Sequence, residues 1–301
     1  MNYPLIMSRF LKKTSLVLTL AALAVSCGGA EPALEHPIGP APEPKAVEKK
    51  KNQIPASLLK TAKAIETRGK QIASYQAAVI EAAVLLKNSG MGQKGFDTYV
   101  ALPSRRGWEI YFGTLAPQGA SFYIAHAFFC SISGCAELTP GPDTPDIAPF
   151  ARAIARASDT FVPKAEAYNT AVFTEKNGSI SVYLTPGSVD PDVALLGGDY
   201  RISLAADGEE VLKVIELHDR VIRFPREVPP GIAANGTMRT LDRGDLPTGT
   251  DVAFIIQNPH LAPHLVVGPN WATQISERGD VVILGDSREV MDEEPPPIPP
   301  R

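Results

Sequence analysis

Histidines and the acids near them are the residues of this sequence best suited to chemistry. In Asn258-Pro259-His260-Leu261-Ala262-Pro263-His264, three residues separate two imidazoles. On a helix that spacing puts both rings on one face, where they can hold zinc. Pro259 and Pro263 oppose a helix, and no glutamate follows His260 to act as a base. The segment therefore reads as a turn between strands, with no metal expected. His218-Asp219 places an imidazole beside a carboxylate at the end of a strand-like run, the residue types of general acid–base catalysis. His218, Asp219, His260 and His264 are the residues a hydrolase would draw on if folding brought them together. His126 stands in an apolar run and reads as a hydrogen-bonded core histidine.

Ser57-Leu58-Leu59-Lys60 has the Ser-x-x-Lys pattern of penicillin-interacting serine enzymes, but the companion Ser-Asp-Asn and Lys-Thr-Gly tripeptides are absent. Ser57 near a helix start is better explained as a cap. Neither a Gly-x-Ser-x-Gly elbow nor a P-loop occurs, and no cofactor is expected. Cys130 and Cys135 enclose Ser131-Ile132-Ser133-Gly134, too wide for a redox Cys-x-x-Cys. A structural disulfide across a glycine-containing turn is the expectation. A zinc site would need about four ligands, and the nearby sequence does not offer them.

These residues must be carried by an α+β framework. Leu58, Ile65, Ile72, Val79 and Leu86 recur every seven residues, with Leu59, Ala62, Ala73, Ile80 and Ala83 widening the stripe. A long amphipathic helix is predicted from Ile54-Pro55 to about Lys87, stopped by Asn88-Ser89-Gly90. Gly69 and Gln76 interrupt its second apolar row, which favours packing on the chain's own sheet over a coiled coil. From Phe96 the period becomes two, predicting strands at 96–102, 108–115 and 121–129. Asp146 to Ser158 reads as one short inserted helix. Beyond Pro163 strands are expected at 168–174 and 179–185 around Asn177-Gly178, and at 200–205 and 209–219 around Asp207-Gly208. A meander of strands at 251–257, 264–268, 271–276 and 281–284 should complete a mainly antiparallel sheet. The charged, proline-rich end from about Asp286 is expected to lack order.

The N-terminus supplies an address. Arg9, Lys12 and Lys13 precede the apolar run Thr14 to Val25, which at about a dozen residues is far short of the ~20 a membrane span needs. Small residues Ala24 and Ser26 lead directly to Cys27. With these features in register, residues Met7 to Gly28 resemble the signal and lipobox of a bacterial lipoprotein. The resemblance implies that Cys27 becomes the acylated N-terminus of the exported protein. Gly28 after it, where an aspartate would favour inner-membrane retention, implies the outer membrane.

The expected organisation is a signal peptide at 1–26, a lipid-anchored disordered tether at 27–53, a globular α+β domain at 54–290 and a proline-rich tail at 291–301. A sub-boundary near residue 163 is compatible with the pattern. The tether is rich in Ala, Pro, Glu and Lys, with too little apolar surface to offset its ordering entropy. A net charge of -4 with no concentrated basic face excludes nucleic acid as a natural partner. The functional expectation is a membrane-anchored envelope protein acting by binding or scaffolding, holding a peptide or apolar ligand between helix and sheet. At the level of shape alone this is similar to the half-barrels of lipoprotein-carrier proteins. A periplasmic hydrolase built from the histidines and Asp219 is the competing class. Sequence alone leaves the oligomeric state open.

Overall fold

A computed structural model describes residues 53–89, 96–227, 236–241 and 244–292. The signal, Cys27, the tether up to Asn52 and the tail from Glu293 lie outside the described residues. The chain begins with helix α1 (Ala56–Asn88), whose heptad residues Ile72, Val79 and Leu86 are buried, together with Tyr75 between them. Strands β1 (Thr98–Ser104), β2 (Gly107–Leu115), β3 (Phe122–Ser131) and β4 (Gly134–Glu137) form an antiparallel sheet in sequence order. Helix α2 (Ala148–Thr160) follows, buried through Ala151, Ala153, Ile154 and Ala157. The fold is α+β, with a long N-terminal helix and largely antiparallel sheets.

A second four-stranded sheet has the order β5 (Ala167–Thr174), β6 (Ile180–Gly187), β8 (Tyr200–Leu204), β9 (Val211–Glu216). Between β6 and β8 the chain leaves to form β7 (Val193–Gly197), which pairs antiparallel with β10 (Val221–Pro225). Then come β11 (Thr237–Thr240), helix α3 (Gly249–Gln257), β12 (His264–Val267), β13 (Trp271–Ile275) and β14 (Val281–Asp286). Here β11 runs parallel to β12, while β12, β13 and β14 are the expected antiparallel meander.

Several sequence expectations need correction. Residues 251–257, predicted as a strand, are helix α3. Val252-Ala253-Phe254-Ile255-Ile256 is an unbroken apolar run, and periodicity cannot separate a buried strand from a helix buried on all sides. The deciding signal is a capping box: the Thr248 side chain accepts from the Asp251 amide, and the Asp251 carboxylate accepts from the Thr248 amide. Ser57 does not cap α1, because the helix starts earlier, with Pro55 in the cap position and no side-chain cap. Residues after Asp286 are ordered for one further short helix, α4 (Ser287–Asp292), held by the Ser287 hydroxyl donating to the Gly268 carbonyl at 2.6 Å. Leu59 and Ile80, assigned to the buried stripe, are exposed.

Two apolar cores result. The larger gathers α1 from Ile72 to Leu86, the first two sheets and α2, and it draws on residues both before and after Pro163. The smaller contains Leu196, Val252, Ile255, Val266 and Ile275. Helix α3 belongs to both, since Ala253 packs in the larger and its neighbour Val252 in the smaller. It reaches that position by crossing α1 very closely. At Gly69 an added Cβ would lie 2.4 Å from the Val252 Cβ and 2.8 Å from the Gly249 carbonyl oxygen. The interruption of the apolar row at Gly69 is thus the seat of a helix crossing. Gln76, the other interruption, donates to Thr185 at 2.9 Å and accepts from Gln257 at 2.6 Å.

Cys130 and Cys135 are direct partners across β3 and β4, with their sulfurs at disulfide distance. The Cys135 amide donates to Glu81 of α1 at 3.1 Å, so this hairpin is tied to the helix.

The crossing yields a stability test. Gly69→Ala drives a methyl into backbone and a β-branched side chain, neither of which can swing away. Overpacking of this kind costs about 1–3 kcal/mol. A fall of several degrees in Tm is expected by calorimetry, with Gln71→Ala on the exposed face as control. An unchanged Tm in Gly69→Ala would contradict the close crossing.

Candidate functional site

Gly197 and Gly198 both have positive φ and let the chain reverse from β7 into β8. An added Cβ at Gly197 would meet the Arg220 carbonyl oxygen at 2.3 Å, so glycine is required there. The reversal delivers Asp199 to the buried start of β8. The Leu217 amide donates to the Asp199 carbonyl at 2.9 Å and thereby holds His218, just past the end of β9, against Asp199. On the other side, the first turn of α3 supplies Thr250 and Asp251. Arg239 comes from β11, and His264 opens β12 opposite Thr237.

These residues make one continuous polar network. His218 Nδ1 lies 2.5 Å from Asp199 Oδ1, and its Nε2 lies 3.3 Å from Asp251 Oδ2. The second contact is an ion pair without a formed hydrogen bond. Asp251 Oδ1 accepts from Arg239 Nη1 at 2.7 Å, while Oδ2 accepts from the Thr248 amide at 2.7 Å and hydroxyl at 2.9 Å. The Thr250 hydroxyl donates to Asp199 Oδ2. Asp199, Asp251 and His218 are 1%, 0% and 7% exposed. Two carboxylates therefore face two cations in a charge-balanced cluster, the condition under which buried ions are tolerated.

Charge states follow from the surroundings. Burial alone disfavours a protonated His218, but the Asp251 and Asp199 carboxylates outweigh it and push the imidazole up to about 10. Burial would raise Asp251, yet His218, Arg239 and the Thr248 amide hold it well below the usual carboxylate range. His264 goes the opposite way, down to about 4: burial dominates, Asp251 opposes it, and Arg239 adds to it. The Thr237 hydroxyl donates to the Leu261 carbonyl, both contacts being 2.7 Å, and so must accept from His264 Nδ1. That fixes a neutral ring protonated on Nδ1.

A small groove with a volume of about 40 Å³, open to solvent, lies beside the network. Gln76, Gln257, Asn169 and Thr185 line it, and Asp199 and Thr250 reach it from the network. Amides and hydroxyls share the surface about equally with apolar groups such as Pro186, Leu195 and Phe254. Between α1 and the sheets, Ile72, Tyr75 and Val79 pack into the larger core.

The sequence candidates separate. His218 and His264 both come close to Asp251. His260 does not enter this network: it sits on the short turn Pro259–Leu261, and its Nε2 is 3.0 Å from the Pro225 carbonyl oxygen. Asp219 is not the acid of His218; its carbonyl accepts from Lys164 at 2.7 Å and its carboxylate is 3.9 Å from Arg220. His126 is half-buried, its ring edge-on to Phe96. Among the described residues no three His, Cys, Asp or Glu side chains are disposed to hold a metal ion. Sequence reasoning missed Asp199, Asp251 and Arg239. Only Asp251 carried a legible signal, the Thr248-x-x-Asp251 capping pattern.

The arrangement does not form a nucleophile–base pair. In a hydrolytic triad the hydroxyl bonds the imidazole. Here the hydroxyl bonds a carboxylate, and both ring nitrogens of His218 face buried carboxylates. Compared with known proteins, the chain matches no family model, no curated protein and no solved structure.

The two histidines should act on stability with opposite sign. His218 is raised in the folded state, so its contribution is complete below about pH 6.5, its unfolded value, and is lost as pH rises towards 10. His264 is depressed, so its contribution is complete above about pH 6.5 and is lost as pH falls towards 4. Urea unfolding across this range should show an optimum near the crossover. His264→Gln should flatten the acid limb. His218→Gln should flatten the alkaline limb and lower stability overall by about 3–5 kcal/mol, because two buried carboxylates lose their cation. An alkaline limb unchanged in His218→Gln would refute the buried imidazolium.

Proposed function

We propose that this chain is a lipid-anchored protein of the bacterial cell envelope, held in the outer membrane by Cys27, and that it acts by binding or scaffolding. Anchoring rests on the positive n-region, short apolar run and small residues that end at Cys27, with Gly28 after it. Several acyl chains hold a protein stably where a single one holds it marginally, at about 0.8 kcal/mol per buried CH₂. Among the described residues no helix is long and apolar enough to cross a membrane. A cysteine pair at bonding distance suits an oxidising compartment.

Binding is preferred to catalysis on one observation: both nitrogens of His218 face buried carboxylates, and the His264 nitrogen beside the Thr237 hydroxyl carries its proton, so neither ring offers a base to a hydroxyl. The ionic cluster then serves as a brace. It fixes the first turn of α3, and with it one wall of the groove. The amide side chains of Gln76, Gln257 and Asn169 suit a neutral, hydrogen-bonding ligand such as an extended peptide backbone. A hydrolase would have to work from Asp199 and Thr250, the two network members that line the groove.

Both parts of the reading are testable in cells and on the purified full chain. Cys27→Ser should abolish incorporation of labelled fatty acid and release the protein from the membrane fraction. Retention of label by the variant would defeat the anchoring reading. Treatment with a fluorophosphonate should leave Thr250 unmodified in peptide maps; a stoichiometric Thr250 adduct would replace the binding reading with the enzymatic one.

A further inference from the structure

A second polar cluster lies on the sheet of β5, β6, β8 and β9, on residues that the brace does not use. Register places Ser181, Ser203 and Lys213 in one row across β6, β8 and β9. Tyr183, Arg201 and Ile215 form the next row on the same face, beyond Val182, Ile202 and Val214. Side chains alternate faces along a strand, so Arg201 and Ser203, two positions apart, share a face with Ser181 and Lys213. Directly opposed residues stand about 5 Å apart and diagonal ones about 7–8 Å, within reach of long side chains. Two cations and two hydroxyls therefore share one face of the sheet at neighbouring register positions.

Charge on this patch is uncompensated. Neither Arg201 nor Lys213 has an ion-pair or hydrogen-bond partner among the described residues. The Arg201 Nε is enclosed and unbonded, although a buried guanidinium nitrogen without an acceptor costs free energy. Arg201 is not spent on stacking either. The cation that covers the neighbouring rings is Arg68, 4.6 Å above Phe173 and 5.6 Å from Tyr183, and its charge is matched by Glu175. On a chain of net charge -4, two cations with no ion-pair partner among the described residues are a distinct local feature; Asp199, two residues before Arg201 on the same face, is committed to His218 and Thr250.

We propose that Arg201, Lys213, Ser203 and Ser181 form a binding site for a tetrahedral oxyanion, a phosphate group. Arg201 supplies the planar, charge-assisted donors that match phosphate oxygens, and Lys213 a point charge at the edge of the sheet. The serine hydroxyls donate to the remaining oxygens. Free phosphate and a phospholipid headgroup present the same chemistry. The site stands on its own observations and does not depend on the groove or on Cys27.

The test uses the full chain in a neutral detergent, with inorganic phosphate as the probe and chloride of equal ionic strength as the reference. Phosphate should raise Tm beyond the chloride control, and isothermal titration should show a single site. Arg201→Gln should abolish both effects, and Lys213→Gln should weaken affinity about tenfold, or 1.4 kcal/mol. Lys87→Gln, elsewhere on the surface, should change neither. Should Arg201→Gln unfold, Arg201→Lys keeps the charge, loses the fork and should still weaken binding. Flotation of the full chain carrying Cys27→Ser, which removes the acyl anchor, with phosphatidylglycerol rather than phosphatidylcholine vesicles, lost when Arg201→Gln or Lys213→Gln is added, would assign the phosphate to a headgroup. Failure to float while inorganic phosphate binds would assign it to the free anion. No phosphate-specific shift in the parent, or an undiminished one in both Arg201 and Lys213 variants, overturns the site.

Discussion

A carboxylate with no exposure to water must be given countercharge, and Asp251 is fully buried at the first turn of α3. Much of the structure's middle is arranged to meet that requirement. Arg239 is brought from β11, His218 from beyond β9, and the Thr248 cap from the residue that starts the helix. Asp199 then balances His218, and Thr250 satisfies Asp199. Removing any one member leaves an unpaired charge in a dry interior, so the cluster is expected to form as a unit. His264 stays neutral chiefly because burial disfavours its charged form, with the Arg239 cation adding to that effect.

The cluster sits where connectivity is most demanding. Helix α3 packs on α1 through the Gly69 crossing on one side and contributes to the smaller core on the other. A helix of nine residues gains little from backbone propensity alone, so its position is set by packing and by its cap. The ionic cluster fixes its N-terminal turn, while Asn258 and the Gln76–Gln257 bond hold its far end. The groove between them inherits its rigidity from both. Specificity of arrangement, rather than raw stability, is what buried ions of this kind best provide, since a well-packed apolar replacement can be equally stable.

How much of this was legible in the sequence depended on whether a local pattern decided the outcome. The heptad of α1, the alternation of β1 to β3, and the Asn177-Gly178 and Asp207-Gly208 turns are local, and the structure follows them. Helix α3 was hidden because it is buried on several sides, so its apolar run has no polar face to reveal a period. Gly69 and Gln76 looked like defects in an apolar row and are instead the contacts of a helix crossing and a groove. His218 could be singled out by residue type, but its partners could not. Asp199 is 19 residues away and Asp251 lies in another element, whereas the adjacent Asp219 points elsewhere. Proximity along the chain is a poor guide wherever a residue stands just past the end of a strand.

The same distinction governs function. The proposed address would be read from a short contiguous segment, Leu23 to Cys27, whereas the groove and the proposed phosphate site draw on several elements of the chain. What unites the account is the charge state of one ring. With ¹⁵N-labelled histidine, a long-range proton–nitrogen correlation spectrum of the folded protein at pH 8 reads that state directly. The His218 signal should be that of an imidazolium with both nitrogens protonated, well above the ordinary histidine titration near about 6.5. A His218 ring that is neutral at pH 8, with one nitrogen unprotonated, would contradict the charge-balanced cluster on which this account of the fold and groove is built.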